Sequence, residues 1–299
     1  MLLTAVALVV ASPTTRTSTP RFGVYAGPGA SGLAAAARFE RTTGAPLAQV
    51  LDFAAADDWT GMTRPQWLLR PHSGSDLRLE YSLPMFPDAG DGSLASCAGG
   101  RYDRHWAELA RNLVAARLAD AIVRPGWEFN GGWYRWAAKG RAAEYVGCFR
   151  HVVTSMRAAA GSQFRFDWNP TVGAGEFPAE QAYPGDAYVD FVGVDSYDTS
   201  TWSTLLNGDH GLAFWSRFAA RHHKSMAIPE WGVLGGGGAR GDDPRYIDQM
   251  FAFMTNPGNH VAYEQYFDVD SSVGRHSIDP GTRFPKSRAK FLAWMRKLS

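Results

Sequence analysis

Eight short apolar runs, most of them separated by stretches of helical spacing, constrain this chain more than any other feature. They are Phe22–Gly27, Leu47–Ala55, Leu77–Met85, Ala121–Asn130, Phe164–Thr171, Val189–Asp198, Met226–Val233 and Val261–Val269. Several are nearly continuous in apolar residues, as strands covered on both faces must be. Between them Trp106, Leu109, Ala110, Leu113, Val114 and Leu118 recur at intervals of three and four, as do Phe291, Trp294, Met295 and Leu298, so each set lines one side of a helix. Pro285 suits the first turn of the last helix. A strand-then-helix unit repeated about eight times predicts an α/β fold, a single (β/α)8 TIM barrel. An open doubly wound sheet is the alternative, and it would carry a Gly-rich phosphate turn after its first strand. The stretch Gly27-Pro28-Gly29-Ala30-Ser31-Gly32 lacks that spacing, loses a donor amide at Pro28, and reads as a turn into the first helix. Two weaker segments stand out: Glu176 to Gly185, with two prolines, reads mostly as loop, and Gly235–Gly238 reads as a mobile rim loop.

The charge balance of 30 Lys+Arg against 29 Asp+Glu argues against a nucleic-acid footprint or a polybasic membrane anchor. Met1 to Val10 is apolar and too short to span a bilayer as a helix; with the Thr/Ser-rich stretch to Pro20 it reads as a signal or linker segment over residues 1–20, ahead of a catalytic domain over 21–299, and the expected location is secreted or cell-envelope associated. No other segment predicts a membrane span. Cys97 and Cys148 are the two cysteines; in an exported protein they can pair, but sequence leaves their separation open. Neither they nor the eight histidines show a ligand spacing, so no metal and no cofactor is expected. With no heptad or large apolar repeat, a monomer is expected.

Barrel enzymes carry their chemistry at the carboxyl ends of the strands. Glu128, in Arg124-Pro125-Gly126-Trp127-Glu128-Phe129-Asn130, ends the fourth run; Glu230, in Ile228-Pro229-Glu230-Trp231-Gly232, ends the seventh. An ionisable group at the mouth of a buried strand is costly unless it is used, and two carboxyls ringed by flat aromatics are the apparatus of glycosidic bond cleavage. Strand alternation puts Arg124 and Glu128 on one face. A buried Arg124 needs a carboxylate partner, and Glu230 across the mouth would be held charged by it, as a nucleophile requires. Glu128, beside Trp127, Phe129 and Trp133, would keep a proton, as a general acid requires.

The run Arg124-Pro125-Gly126-Trp127-Glu128-Phe129-Asn130-Gly131-Gly132-Trp133-Tyr134-Arg135-Trp136 resembles the acid/base motif of glycoside hydrolase family 26. Val192-Gly193-Val194-Asp195-Ser196-Tyr197 resembles its strand-six motif, and Ile228-Pro229-Glu230-Trp231-Gly232 its strand-seven motif. The resemblance runs from about Phe22 to Ser299. It implies a retaining, endo-acting double displacement on a β-linked polysaccharide of mannan, glucan or xylan type. Glu230 would attack the anomeric carbon while Glu128 protonates the leaving oxygen and then activates water, with Tyr197 orienting Glu230. One position departs: many members have His before the acid/base, and here it is Trp127, whose indole can donate one hydrogen bond but not accept one or titrate. Contacts to the central sugar are expected to differ, which leaves the polysaccharide open.

Blander readings stand beside these. Glu128 or Glu230 can be a structural ion-pair member of Arg124, and Asn130 can order the loop rather than touch substrate. Trp127, Trp133, Trp168 and Trp231 are candidate sugar platforms, each with a core alternative. Glu80, Asp52 and Asp195 read as capping or pairing groups. A non-catalytic carbohydrate-binding barrel is the competing function.

Overall fold

The computed structural model describes residues 19–173, 177–236, 240–271 and 274–298. The apolar run Met1–Val10, Glu176, Gly237 and Gly238 lie outside them. The strands are β1 (Arg21–Tyr25), β2 (Leu47–Phe53), β3 (Arg78–Leu83), β4 (Ile122–Pro125), β5 (Arg165–Trp168), β6 (Phe191–Gly193), β7 (Ser196–Tyr197), β8 (Ser225–Gly232) and β9 (Val261–Phe267). Every pairing is parallel. Neighbours run in chain order from β1 to β6, β9 joins β1 to β8, and β6 pairs with β8 to close the ring. β6 and β7 both pair with β8 and occupy one position of the ring, so the barrel has eight staves, as the alternation of runs and helical spacings predicts.

Two staves differ from expectation. The fourth strand ends at Pro125 rather than running to Asn130. Pro125 has no N–H to extend the ladder, and Gly126 turns the chain at φ 58°, so Glu128 stands in a turn above the strand. The sixth breaks at Val194-Asp195, where Val194 N–H bonds Ala227 and Asp195 N–H bonds Pro170; this bend lets Asp195 lean inward while Tyr197 resumes pairing.

The barrel walls divide the molecule into two interiors. Outward residues Val24, Val50, Leu79, Val123, Phe166, Val192 and Met226 pack under the helices in one continuous apolar core. The predicted helical stripes supply the other side: Trp106, Leu109 and Leu113 lie in the helix Asp103–Ala115, and Phe291 and Met295 in Pro285–Leu298. Inside the ring the filling is mostly polar. Its base is plugged by Ile122, Phe191, Ala227 and Tyr263, and above them sit Glu80, Asp167, Gln49, Gln265 and Arg124, all at most 1% exposed. Two glycines record how full this space is. A Cβ at Gly23 would fall 2.7 Å from Gln265, and one at Gly193 would fall 2.4 Å from the Asp167 carboxylate.

Cys97 and Cys148 form a disulfide with a Cα–Cα distance of 4.8 Å, settling the pairing that sequence left open. It joins the short helix Leu94–Ala98 to the helix Ala142–Arg157, and both sulfurs are fully buried. Among the described residues no helix is long and apolar enough to cross a membrane.

Candidate active site

Arg124 organises the carboxyl-terminal mouth. It leaves β4 pointing inward and is fully buried, so each of its donors needs a partner. Nε and Nη2 donate to Ser82 Oγ at 2.9 and 2.6 Å. Nη1 donates to Asn169 Oδ1 at 3.1 Å and to both oxygens of Asp195 at 3.1–3.2 Å. Nη2 also makes a short contact with Glu230 Oε1. The guanidinium lies over the rings of Phe53 and Trp127, 5.5 and 5.8 Å from their centroids, where a cation is attracted by the π faces. The other oxygen of Glu230 accepts from Tyr197 Oη at 2.7 Å. Glu230 is therefore bound on both oxygens and is 6% exposed.

Glu128 is built differently. Its φ is 49°, a left-handed conformation costing about 1–2 kcal/mol for a residue with a Cβ. The turn is fixed from several sides: Glu128 N–H donates to Asn169 O at 2.7 Å, Gly131 N–H to Glu128 O at 3.0 Å, and Ala138 N–H to Phe129 O at 2.8 Å. Asn130 secures the same loop from beneath, its Nδ2 donating to Thr171 O at 3.0 Å and its Oδ1 accepting from Thr171 N–H at 2.9 Å. These bonds hold the strained turn and its carboxyl in one place, where Trp133 Nε1 donates to Oε2 at 3.0 Å. Burial, and then the negative charge of Glu230, push the Glu128 carboxyl up to about 8, against the smaller opposing effects of the Trp133 donor and Arg124. At neutral pH it carries a proton while Glu230 lies against a cation. The two acids thus stand in different surroundings, Glu128 enclosed with its pKa raised and Glu230 against a guanidinium.

One cation cannot neutralise all the acids around it. Below Arg124, Glu80 Oε1 is 4.0 Å from its Nε, and Tyr263 Oη bridges Glu80, at 3.0 Å, and Asp167 by a short contact. A phenol has one proton to give, so only one of these acids receives it and the other meets the phenol oxygen as a protonated carboxyl. Burial raises Glu80 well above the usual carboxylate range, followed by the charge of Asp167; burial takes Asp167 to about 7. Asp195 is also raised well above its ordinary value by burial, then by Glu230. Protons held on these deeper acids leave the charge of Arg124 for the mouth.

The aromatic residues separate into groove and core. Trp133 is 60% exposed and presents a ring face beside Glu128. Trp127 is 6% exposed; its Nε1 donates to Tyr134 Oη at 2.9 Å, and its ring packs against Trp136 and Phe53. It forms the wall behind the mouth and supports Tyr134, which sequence reasoning did not single out although it lies in the same aromatic run. Trp168 and Trp231 depart from the expectation that they are sugar platforms. Both are fully buried; Trp168 Nε1 donates to Ala182 O at 3.1 Å, and Trp231 Nε1 is taken by Glu264. Neither has a ring face left for a ligand. Asn130 is likewise fully buried and orders the loop. Ser82 and Asn169 were missed as partners of Arg124; the signal for Asn169 was its place at the end of β5.

A closed barrel with one protonated and one cation-bound carboxyl at its strand ends belongs to the class of two-carboxylate barrels. A model of glycosyl hydrolase family 26 matches residues 100–207, which include Arg124, Glu128 and Tyr197. The chain is 31% identical over 180 residues to Endoglucanase H of Acetivibrio thermocellus, covering 56% of this chain and 19% of that protein. It is 27% identical over 155 residues to a mannan endo-1,4-beta-mannosidase of Bifidobacterium adolescentis, covering 46% and 15%. The chain therefore spans well under half the length of these relatives. In fold it is similar to GH26C of a Muricauda species, with TM-score 0.70 and 17% identity over 94% of this chain and 86% of that one. It is also similar to an endo-beta-1,4-mannanase of Cellulomonas fimi, with TM-score 0.67 and 21% identity over 94% and 71%. Over residues 100–207 the chain is thus similar to glycosyl hydrolase family 26.

Proposed function

We propose that this chain is a retaining β-glycoside hydrolase that cuts within a β-1,4-linked polysaccharide. The observation that carries the reading is the division of labour between two carboxyls: Glu128 protonated at neutral pH, and Glu230 held on both oxygens by Arg124 and Tyr197. In the first step Glu230 attacks the anomeric carbon and the C–O bond to the leaving sugar breaks, while Glu128 gives its proton to the departing oxygen. In the second, the now ionised Glu128 takes a proton from water, whose oxygen displaces Glu230 and restores the starting enzyme. Two inversions give net retention. Arg124 and Tyr197 limit the charge on Glu230 and aim it; Trp133 supplies a stacking face beside the bond that is cut. The relatives named for glucan and mannan cleavage support a backbone of equatorially linked hexoses, and the domain over 21–299 as the catalytic unit. The buried disulfide supports export, because such bonds persist in oxidising compartments.

The test is product analysis on β-glucan, β-mannan and β-xylan with three proteins. The wild type should release oligosaccharides whose new reducing ends first appear as the β anomer by NMR. Glu230→Ala should lose at least 10⁴-fold in turnover, on the order expected for removing a covalent nucleophile, and azide should restore part of it with an α-glycosyl azide product. Glu128→Ala should retain the first step on aryl glycosides with good leaving groups. Binding to these polymers with no cleavage by the wild type, or an α product from it, would overturn the proposal.

A further inference from the structure

The opposite end of the barrel carries a second cluster of charge that the proposed chemistry does not use. Three alternate strands, β1, β3 and β5, each open on an arginine: Arg21, Arg78 and Arg165. Each stands two residues before Gly23, Glu80 or Asp167, which face the barrel interior, and strand alternation gives the arginines the same side. Side chains from alternate strands of a barrel share one layer, so the three guanidinium groups ring the base. A cavity of about 360 Å³ opens there, lined by Arg21, Arg165, Gln49, Ser225 and His260 among others, with no acidic residue in its described lining. A second, of about 310 Å³, continues from Arg21 to Arg78.

Asp76 lines the second cavity, whereas two other acids near this ring are already engaged. Asp120 accepts from Arg78 Nε at 2.9 Å, and Asp190 accepts from Arg157 and from the Phe166 amide. Arg78 Nη1 is buried with no partner, and so is the amide nitrogen of Gln49, a residue 1% exposed. Arg21 and Arg165 have no hydrogen-bond or ion-pair partner among the described residues; Arg165 rests on the Phe191 ring, 4.9 Å from its centroid. Burial, followed by the charges of Arg78 and Arg21, lowers the pKa of Arg165, so the three cations repel one another. Residues 1–20 include no Asp or Glu that would neutralise them. A planar fork of donors suits an oxyanion that accepts two bonds from each guanidinium.

We propose that the amino-terminal end of the barrel binds a small doubly charged oxyanion, of the phosphate or sulfate kind, between Arg21, Arg165 and the free Nη1 of Arg78. The site is independent of the hydrolase reading, and its loss leaves cleavage at the other end unaffected. Phosphate titrated at fixed ionic strength and pH 7.5 should raise the melting temperature saturably and give one-to-one heats by calorimetry, whereas chloride should do neither. The double variant Arg21→Gln/Arg165→Gln removes repulsion, so it should fold, and should bind phosphate at least tenfold more weakly. An equal response to chloride, or an unchanged response in the variant, would overturn the proposal. Sedimentation with phosphatidylglycerol vesicles distinguishes a free ion from a lipid headgroup: arginine-dependent vesicle binding without any response to inorganic phosphate also overturns the small-ion site.

Discussion

Tyr197 donates its phenolic proton to Glu230 at 2.7 Å, on the oxygen that Arg124 leaves free. The bend between β6 and β7 places the tyrosine there. Removing the hydroxyl strips one of the two groups that hold the carboxylate and leaves its packing in place. A hydrogen bond to a charged group contributes about 1.5–3 kcal/mol. Tyr197→Phe should therefore lower kcat about 10- to 100-fold with little change in melting temperature, measured on whichever polysaccharide the wild type cleaves.

The reaction proposed for Glu128 needs its protonated form, and that carboxyl is held at about 8. Activity should fall as pH rises through about 8. Trp133 opposes the upward shift by donating to the charged form, so Trp133→Phe should move the alkaline limb of kcat/KM to higher pH. An unchanged or lower alkaline limb would show that Trp133 does not act on this proton.

Stability should have its own pH dependence. Glu264, fully enclosed and bonded to Trp231, is raised by burial to about 8, and Asp167 to about 7. Their folded values lie above those of the unfolded chain. The stabilisation they bring is full below pH ~4, where both states are protonated, and is lost as pH rises toward 7–8. Melting temperature should decline across that window. Glu264→Gln keeps an acceptor for the Trp231 indole and removes the titrating group, so its decline should be shallower. A steeper or identical slope in the variant would contradict this account.

Reduction of Cys97–Cys148 releases a loop of 51 residues, and closing such a loop contributes about 2–4 kcal/mol through the unfolded state. Urea unfolding with and without reductant should show a midpoint lowered accordingly, with the folded far-UV spectrum retained. Because both sulfurs are buried, reduction of the native protein should be slow and should accelerate near the unfolding midpoint.

Much of the fold and the two acids was legible because each rests on a short-range pattern. Strands covered on both faces read as continuous apolar runs, and an acid closing such a run is conspicuous. The tryptophans were harder to place, since an indole at a strand end serves core or groove equally well. Alternation held the answer for two of them: if Asp167 and Glu230 face inward, their neighbours Trp168 and Trp231 must face the helices, which is where they lie. The deeper acids had no local signal at all. Tyr263 meets Asp167 and Glu80 across 96 and 183 residues of chain, and only closure of the ring brings them together. The end of the fourth strand was misplaced because Trp127 and Phe129 continue its apolar run, while Pro125 and Gly126 have already ended the ladder.

The bridge between Cys97 and Cys148 encircles more than the two helices it touches. The stretch of chain between those cysteines includes β4, Arg124, Glu128 and Trp133, so this whole segment is a covalent ring sewn into the barrel. A protease that cuts once inside it makes two fragments that cannot part. They should migrate together until a reducing agent is added, and the nicked protein should keep its shape around the mouth.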